Sequence, residues 1–256
     1  VFLYGNPGPF SLSHGTSVGF FRKLARMKNG VEWYDEYSNA IDEKRFQALK
    51  AAYDGMGHEK GKMSNDNRTK ITKVNSACII SGQWLPTKDD NALFNRSIPL
   101  FFVKVDNRPK EDTDNFNLLK QYETQGMNSM ITEILRYRNL IEQSFGETYY
   151  SIFERIKEDF AKKGYPVMDR LISNYTILLA PMKILMDKAA GALNFGFEYE
   201  VFYKECIQSI EEQNRLLSNS QALANFWKMV EFLFESSQIQ AGNDFMVKTI
   251  DKYQGF

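Results

Sequence analysis

Two adjacent acids, Asp35 and Glu36, close the run Val31-Glu32-Trp33-Tyr34, and their placement suits phosphate chemistry. An Asp at the carboxyl end of a strand can hold a hydrated Mg²⁺ ion, and a Glu beside it can orient and deprotonate an attacking water. The same pair also reads as a solvated loop, since acids are mostly exposed. Ahead of it, Gly5-Asn6-Pro7-Gly8 follows the apolar run Val1-Phe2-Leu3-Tyr4, and a glycine turn after a strand presents backbone N–H groups to phosphate. The complete cradle, GxxxxGK[ST], adds a Lys for charge and a hydroxyl for the metal. Here Gly8 runs directly into Pro9-Phe10-Ser11-Leu12, and GNPG alone is also an ordinary turn.

Three further segments carry polar groups in suggestive places. Cys78-Ile79-Ile80-Ser81-Gly82-Gln83 reads as a buried strand with a polar end, where Ser81 or Gln83 stands in position to sense a terminal phosphate. In Asn91-Ala92-Leu93-Phe94-Asn95-Arg96, Arg96 suits either a finger reaching a neighbouring subunit's nucleotide or a structural ion pair. Residues 57–73 hold five basic side chains, Lys60, Lys62, Arg68, Lys70 and Lys73, against two acids, set among Gly, Asn and Ser. That composition fits a cationic hairpin or loop that contacts phosphates, and equally a solvated surface loop.

The elements that must carry these groups follow from periodicity. Short apolar runs predict strands over 1–4, 31–34, 77–81 and 98–105. Helical spacing over 18–27 and 43–53, the second capped by Asp42, predicts strands alternating with helices in a three-layer domain around a parallel sheet. Residues 106–117, polar and with a proline, read as the boundary between an α/β domain (1–117) and an all-helical bundle domain (118–256). From Leu118 on, apolar residues recur at helical spacing, as at Met127, Met130, Ile131, Ile134, Leu135, Ile141 and Phe145, and similar patterns predict helices over 149–160, 168–179, 182–193, 199–217 and 221–234, punctuated by Gly164-Tyr165-Pro166 and Ser218-Asn219.

Composition narrows the classes. The 256 residues are 43% hydrophobic with no net charge, so the chain is expected to fold and has no overall basic field. Residues 1–117 carry 17 basic and 14 acidic side chains, and residues 118–256 carry 15 and 18, so the slight basic bias is N-terminal. Two cysteines without a CxxC argue against a disulfide scaffold or structural zinc. His14 and His58 are the only histidines and no GxSxG elbow occurs, which disfavours serine or cysteine hydrolase chemistry. No apolar run approaches the roughly 18 residues of a membrane span, and a cytoplasmic protein is expected. The opening on Val1 reads as a fragment that begins inside a strand.

Taken in order, the phosphate turn, acidic strand end, basic insert, polar strand end and Ala-Leu-Phe-Asn-Arg resemble a helicase-type P-loop ATPase domain. The likeness is to the AAA+-like domains, related to superfamily 3 helicases, of primase-helicases from Bacteroidetes mobile elements and phages. It is carried by Leu12-Ser13-His14-Gly15-Thr16, Trp33 to Tyr37, Ala52 to Gly61 and Ser64 to Thr69. The resemblance implies a partial P-loop NTPase fold that binds ATP at Gly5, Asn6, Pro7 and Gly8. By it Asp35 holds Mg²⁺, Glu36 is the base, Ser81 sits at the sensing strand end and Arg96 acts from a neighbouring subunit. It also implies an ATP-hydrolysing DNA helicase in replication, assembled as a homo-oligomeric ring such as a hexamer. His58, Lys60, Lys62, Arg68, Lys70 and Lys73 would then face DNA. The sequence departs from that pattern after Gly8, where about one P-loop tail and its helix are missing. The alternative is a degenerate module that binds DNA or assembles without ATP. In the helical half, Tyr122, Tyr137, Tyr149, Tyr150, Phe226 and Trp227 suit either an interaction face or core packing.

Overall fold

A computed structural model describes residues 8–56, 58–61, 69–102, 108–126, 128–189 and 192–246. The chain divides into two compact units, residues 1–210 and 211–256.

The first unit opens with β1 (Phe10–Ser11), α1 (Ser17–Arg26) and β2 (Lys28–Tyr37), followed by α2 (Glu43–Tyr53). A hairpin of β3 (His58–Gly61) and β4 (Thr69–Thr72) precedes β5 (Asn75–Gly82). Strands β1, β2 and β5 form a parallel sheet in that order, with Tyr34 paired to Phe10 on one side and to Ile80 on the other. Both flanking helices start where the sequence supplies a cap. The Thr16 hydroxyl accepts from the Gly19 N–H at 3.1 Å, and an Asp42 carboxylate oxygen accepts from the Arg45 N–H at 3.1 Å.

Helices α1 and α2 lie over one face of the sheet. Phe20 and Leu24 of α1 and Phe46 and Leu49 of α2 join Leu12, Tyr34 and Tyr37 in one buried cluster. Each such side chain contributes about 1.5–3 kcal/mol by leaving water. The opposite face carries Val31 and Trp33 of β2 beside Ala77 and Ile79 of β5, and Ile79 is 55% exposed. Parallel sheets are ordinarily covered on both faces; here the described residues cover one.

Past the sheet come a short α3 (Lys88–Asn91) and a 3-10 turn at Phe94–Arg96. Helices α4 (Lys110–Gln125), α5 (Asn128–Leu135), α6 (Arg138–Lys163), α7 (Asp169–Lys188) and α8 (Tyr199–Glu235) complete the chain. A small parallel α/β layer followed by helices is therefore the architecture. In the first unit, α6 packs on α7 through Ile152, Ile156 and Phe160 against a run from Leu171 to Leu185. The start of α8 is tied to α6 by paired hydrogen bonds from Arg155 to Glu200, at 2.9 and 2.7 Å, and by Tyr203 donating to Asp159 at 2.8 Å. Tyr53 of α2 donates to Asn174 of α7 at 2.7 Å, and the Asn174 amide donates to the Asn95 carbonyl at 3.1 Å. The two units part inside α8, so residues 118–210, assigned by sequence to a helical domain, lie in the same compact unit as the sheet.

Several sequence expectations change. Residues 110–117, read as a linker, are helical, because Pro109 precedes the first turn and Glu111 and Asp112 complement its dipole. The paired helices expected over 168–193 are one, α7, which continues through Pro181 to Lys188. Those expected over 199–234 are also one, α8; Ser218 does not end it, since its hydroxyl donates to the Asn214 carbonyl one turn back. Gly164 does end α6, in the left-handed conformation that glycine favours. Residues 98–102, predicted as a strand, run as a loop with Leu100, Phe101 and Phe102 exposed, for an apolar run becomes a strand only where an edge pairs with it. The strand expected over 1–4 lies outside the described residues.

Candidate functional site

Asp35 and Glu36 sit at the carboxyl end of β2, and a β-bulge separates them. Tyr34 is paired with Ile80 and Tyr37 with Gly82, so the two acids together oppose Ser81 alone. A bulge re-aims side chains at the cost of one ladder step, and Glu36 takes it up with φ 62°, unusual for a residue with a Cβ. Gly82 lets the partner strand approach: a Cβ there would meet the Tyr37 carbonyl oxygen at 2.5 Å.

The bulge sends the acids to different partners. Asp35 stays on the open face, where the Ser81 hydroxyl donates to its Oδ1 at 2.6 Å. The Trp33 indole N–H donates to the same Ser81 oxygen at 2.8 Å, which leaves the hydroxyl proton directed to the carboxylate. Glu36 turns instead toward β1, where its Oε2 accepts from both the Ser11 and Ser13 hydroxyls. Those bonds, Ser11 first and then Ser13, hold the Glu36 carboxyl below the usual range. The sequence gives Ser11, Ser13 and Trp33 no role at the site, although the Ser-Leu-Ser spacing just ahead of the Thr16 cap places two hydroxyls on one side of the chain.

Arg45 of α2 fixes the loop that bears Ser13. Its guanidinium donates to the carbonyls of Leu12 and Gly15 and pairs with Asp42 at 3.0 Å. Nothing local in the sequence connects Arg45 to that loop, roughly thirty residues away.

Beneath the acids lies a buried charge. Glu32 is fully buried in β2, facing α1, with Lys23 Nζ at 3.4 Å and Arg26 Nε at 3.2 Å. Lys23 also donates to the Gly8 carbonyl at 3.2 Å, which ties the one described residue of the glycine turn to this pair. Gly5, Asn6 and Pro7 lie outside the described residues.

The remaining candidates are placed elsewhere. Arg96 donates to the Ala92 carbonyl at 2.8 Å and stacks over the Tyr53 ring, so its contacts are those of a structural residue within its own chain. In the β3–β4 hairpin, Lys60 is paired with Lys70 and His58 with Thr72. Lys62 and Arg68 lie outside the described residues, and Lys73, just past β4, is exposed. Burial pushes the Cys78 thiol up to about 11, so at neutral pH it is a protonated side chain of the sheet. Among the described residues no group of three or more His, Cys, Asp and Glu is arranged to hold a metal ion, and no helix is long and apolar enough to cross a membrane.

No protein-family model matches the chain, and no curated protein matches it.

Proposed function

We propose that this chain carries the acid half of a nucleotide-hydrolysing site and acts on DNA, as an ATP-dependent helicase or translocase in replication of a mobile element or phage. The observation that carries the reading is Asp35 at the carboxyl end of a parallel strand, held by Ser81 from the neighbouring strand end. Ligands of parallel sheets bind at that end. One carboxylate with an adjacent hydroxyl suits Mg²⁺, which takes few protein ligands and draws the rest from water and substrate phosphates. When bound, the ion would neutralise charge on the phosphates of ATP.

Glu36 is the base in this reading. Two hydroxyls on one carboxylate oxygen weaken its basicity, so release of either would make Glu36 a stronger base toward water. The open face around Trp33 and Ile79 is where a helix following a complete phosphate turn would cover the sheet as the second outer layer of a P-loop domain. Lys60 and Lys70, at one register position of the β3–β4 hairpin, support the DNA partner, since lysines neutralise backbone phosphates.

ATP hydrolysis measured with Mg²⁺ and single-stranded DNA tests the proposal. Turnover that is lost in Asp35→Asn and Glu36→Gln, with binding of DNA weakened in Lys60→Ala/Lys70→Ala, is the expected result. DNA binding without turnover in the wild type would overturn the enzyme reading. It would favour the ATP-independent DNA-binding or assembly module that the absent GK[ST] already suggests. A ring of subunits belongs to the first reading, and Arg96 would enter it only by leaving Tyr53.

A further inference from the structure

The second unit holds the rest of α8, which is unusually apolar for an exposed helix. Leu223, Phe226, Val230 and Leu233 recur at the three- and four-residue spacing of one helical face, flanked by Trp227 and Phe234 on one side and Met229 on the other. Lys228, Glu231 and Glu235, its charged residues from position 216 on, gather on the opposite arc. Leu223, Phe226, Trp227, Met229 and Phe234 are between 51% and 63% exposed. A helix with so broad an apolar arc is ordinarily covered.

We propose that this arc is covered by α8 of a second copy of the chain, in a helix-to-helix contact. Area supports a partner of this size. At roughly 200 Å² per large side chain, the half-exposed residues present about 600 Å² per copy, close to the ~800 Å² each partner gives a standard interface. Charge disfavours the other occupants. The apolar arc has no cations for nucleic acid, and the polar arc, with one Lys and two Glu, lacks the basic residues by which amphipathic helices hold anionic membranes. The protein's zero formal charge places no net repulsion between copies. The contact is independent of the nucleotide reading. If it is two-fold it differs from the head-to-tail contact of a ring, and both can coexist in a dihedral assembly.

Sedimentation equilibrium of the full chain, without nucleotide or DNA, tests it, with circular dichroism to confirm retained helix. The wild type should self-associate reversibly. Leu223→Asp/Phe226→Asp should weaken association ~100-fold or more, because two charges per copy would be buried without partners. Lys228→Glu, on the polar arc, should leave it unchanged. A wild type that stays monomeric at tens of micromolar, association that survives the double substitution, or equal loss in Lys228→Glu would each overturn the proposal. A monomer that instead binds phosphatidylcholine vesicles would assign the arc to a lipid surface and overturn it too.

Discussion

Replacing Lys23 by Met should destabilise the first unit by about 3 kcal/mol, although Lys23 is a surface-type residue on a helix of ordinary composition. The reason is its partner. Glu32 is fully buried, and Lys23 Nζ stands 3.4 Å from its Oε2. With an effective dielectric constant of ~20, that separation corresponds to an attraction of about 5 kcal/mol, much of it offset by the cost of drying both charges. Removing one member of such a pair strands the other and typically costs ~3–5 kcal/mol. Arg26 cannot make up the difference, because its side chain is 54% exposed and contacts Oε1, and half-exposed pairs contribute about 1 kcal/mol or less. The Gly8 carbonyl also loses its donor. The double variant Lys23→Met/Glu32→Leu should return to within about 1 kcal/mol of wild type, as buried pairs replaced by apolar groups often do. Urea unfolding of wild type, both single variants and the double closes the cycle, with Trp fluorescence as the probe of the sheet. A Lys23→Met cost below about 1 kcal/mol, or single-variant costs that simply add in the double, would refute the reasoning.

Two more outcomes follow from the acid site. Ser11→Ala/Ser13→Ala should raise the Glu36 pKa toward the ordinary glutamate value, read by carboxyl-carbon NMR titration, and an unmoved pKa would remove the hydroxyls as its cause. Because the folded Glu36 pKa lies below its unfolded value, its contribution to stability is present above the ordinary glutamate pKa and lost as pH falls through the depressed one; the double variant should lack that window. Gly82→Ala should cost about 1–3 kcal/mol in thermal or urea unfolding, since the new Cβ meets the Tyr37 carbonyl oxygen at 2.5 Å. A neutral substitution would mean that the bulge at Asp35–Glu36 yields easily.

Local order was legible in the sequence. Helices α1 and α2 were readable from apolar spacing and, for α2, from Asp42, because a cap and an amphipathic face lie within one segment. Strands β2 and β5 were readable from their apolar runs, and so were the acids and Ser81 at their ends. Segment breaks were read less well. Ser218 and Pro181 resemble stops, yet α8 and α7 continue through them, and the Ser218 hydroxyl folds back onto the Asn214 carbonyl of its own helix.

By itself the sequence determined helices α1 and α2 and placed Asp35, Glu36 and Ser81 at strand ends. Tertiary structure alone decided that Asp35 meets Ser81, forty-six residues away, and that Glu36 turns to Ser11 and Ser13. The physical reason is register. A one-residue bulge, visible only when β2 is laid against β5, sends neighbouring acids to different strands. Glu32 shows the same limit: a charge inside a strand is ordinarily left exposed, and only α1 packed above it, with Lys23 and Arg26 on the facing side, makes burial tolerable.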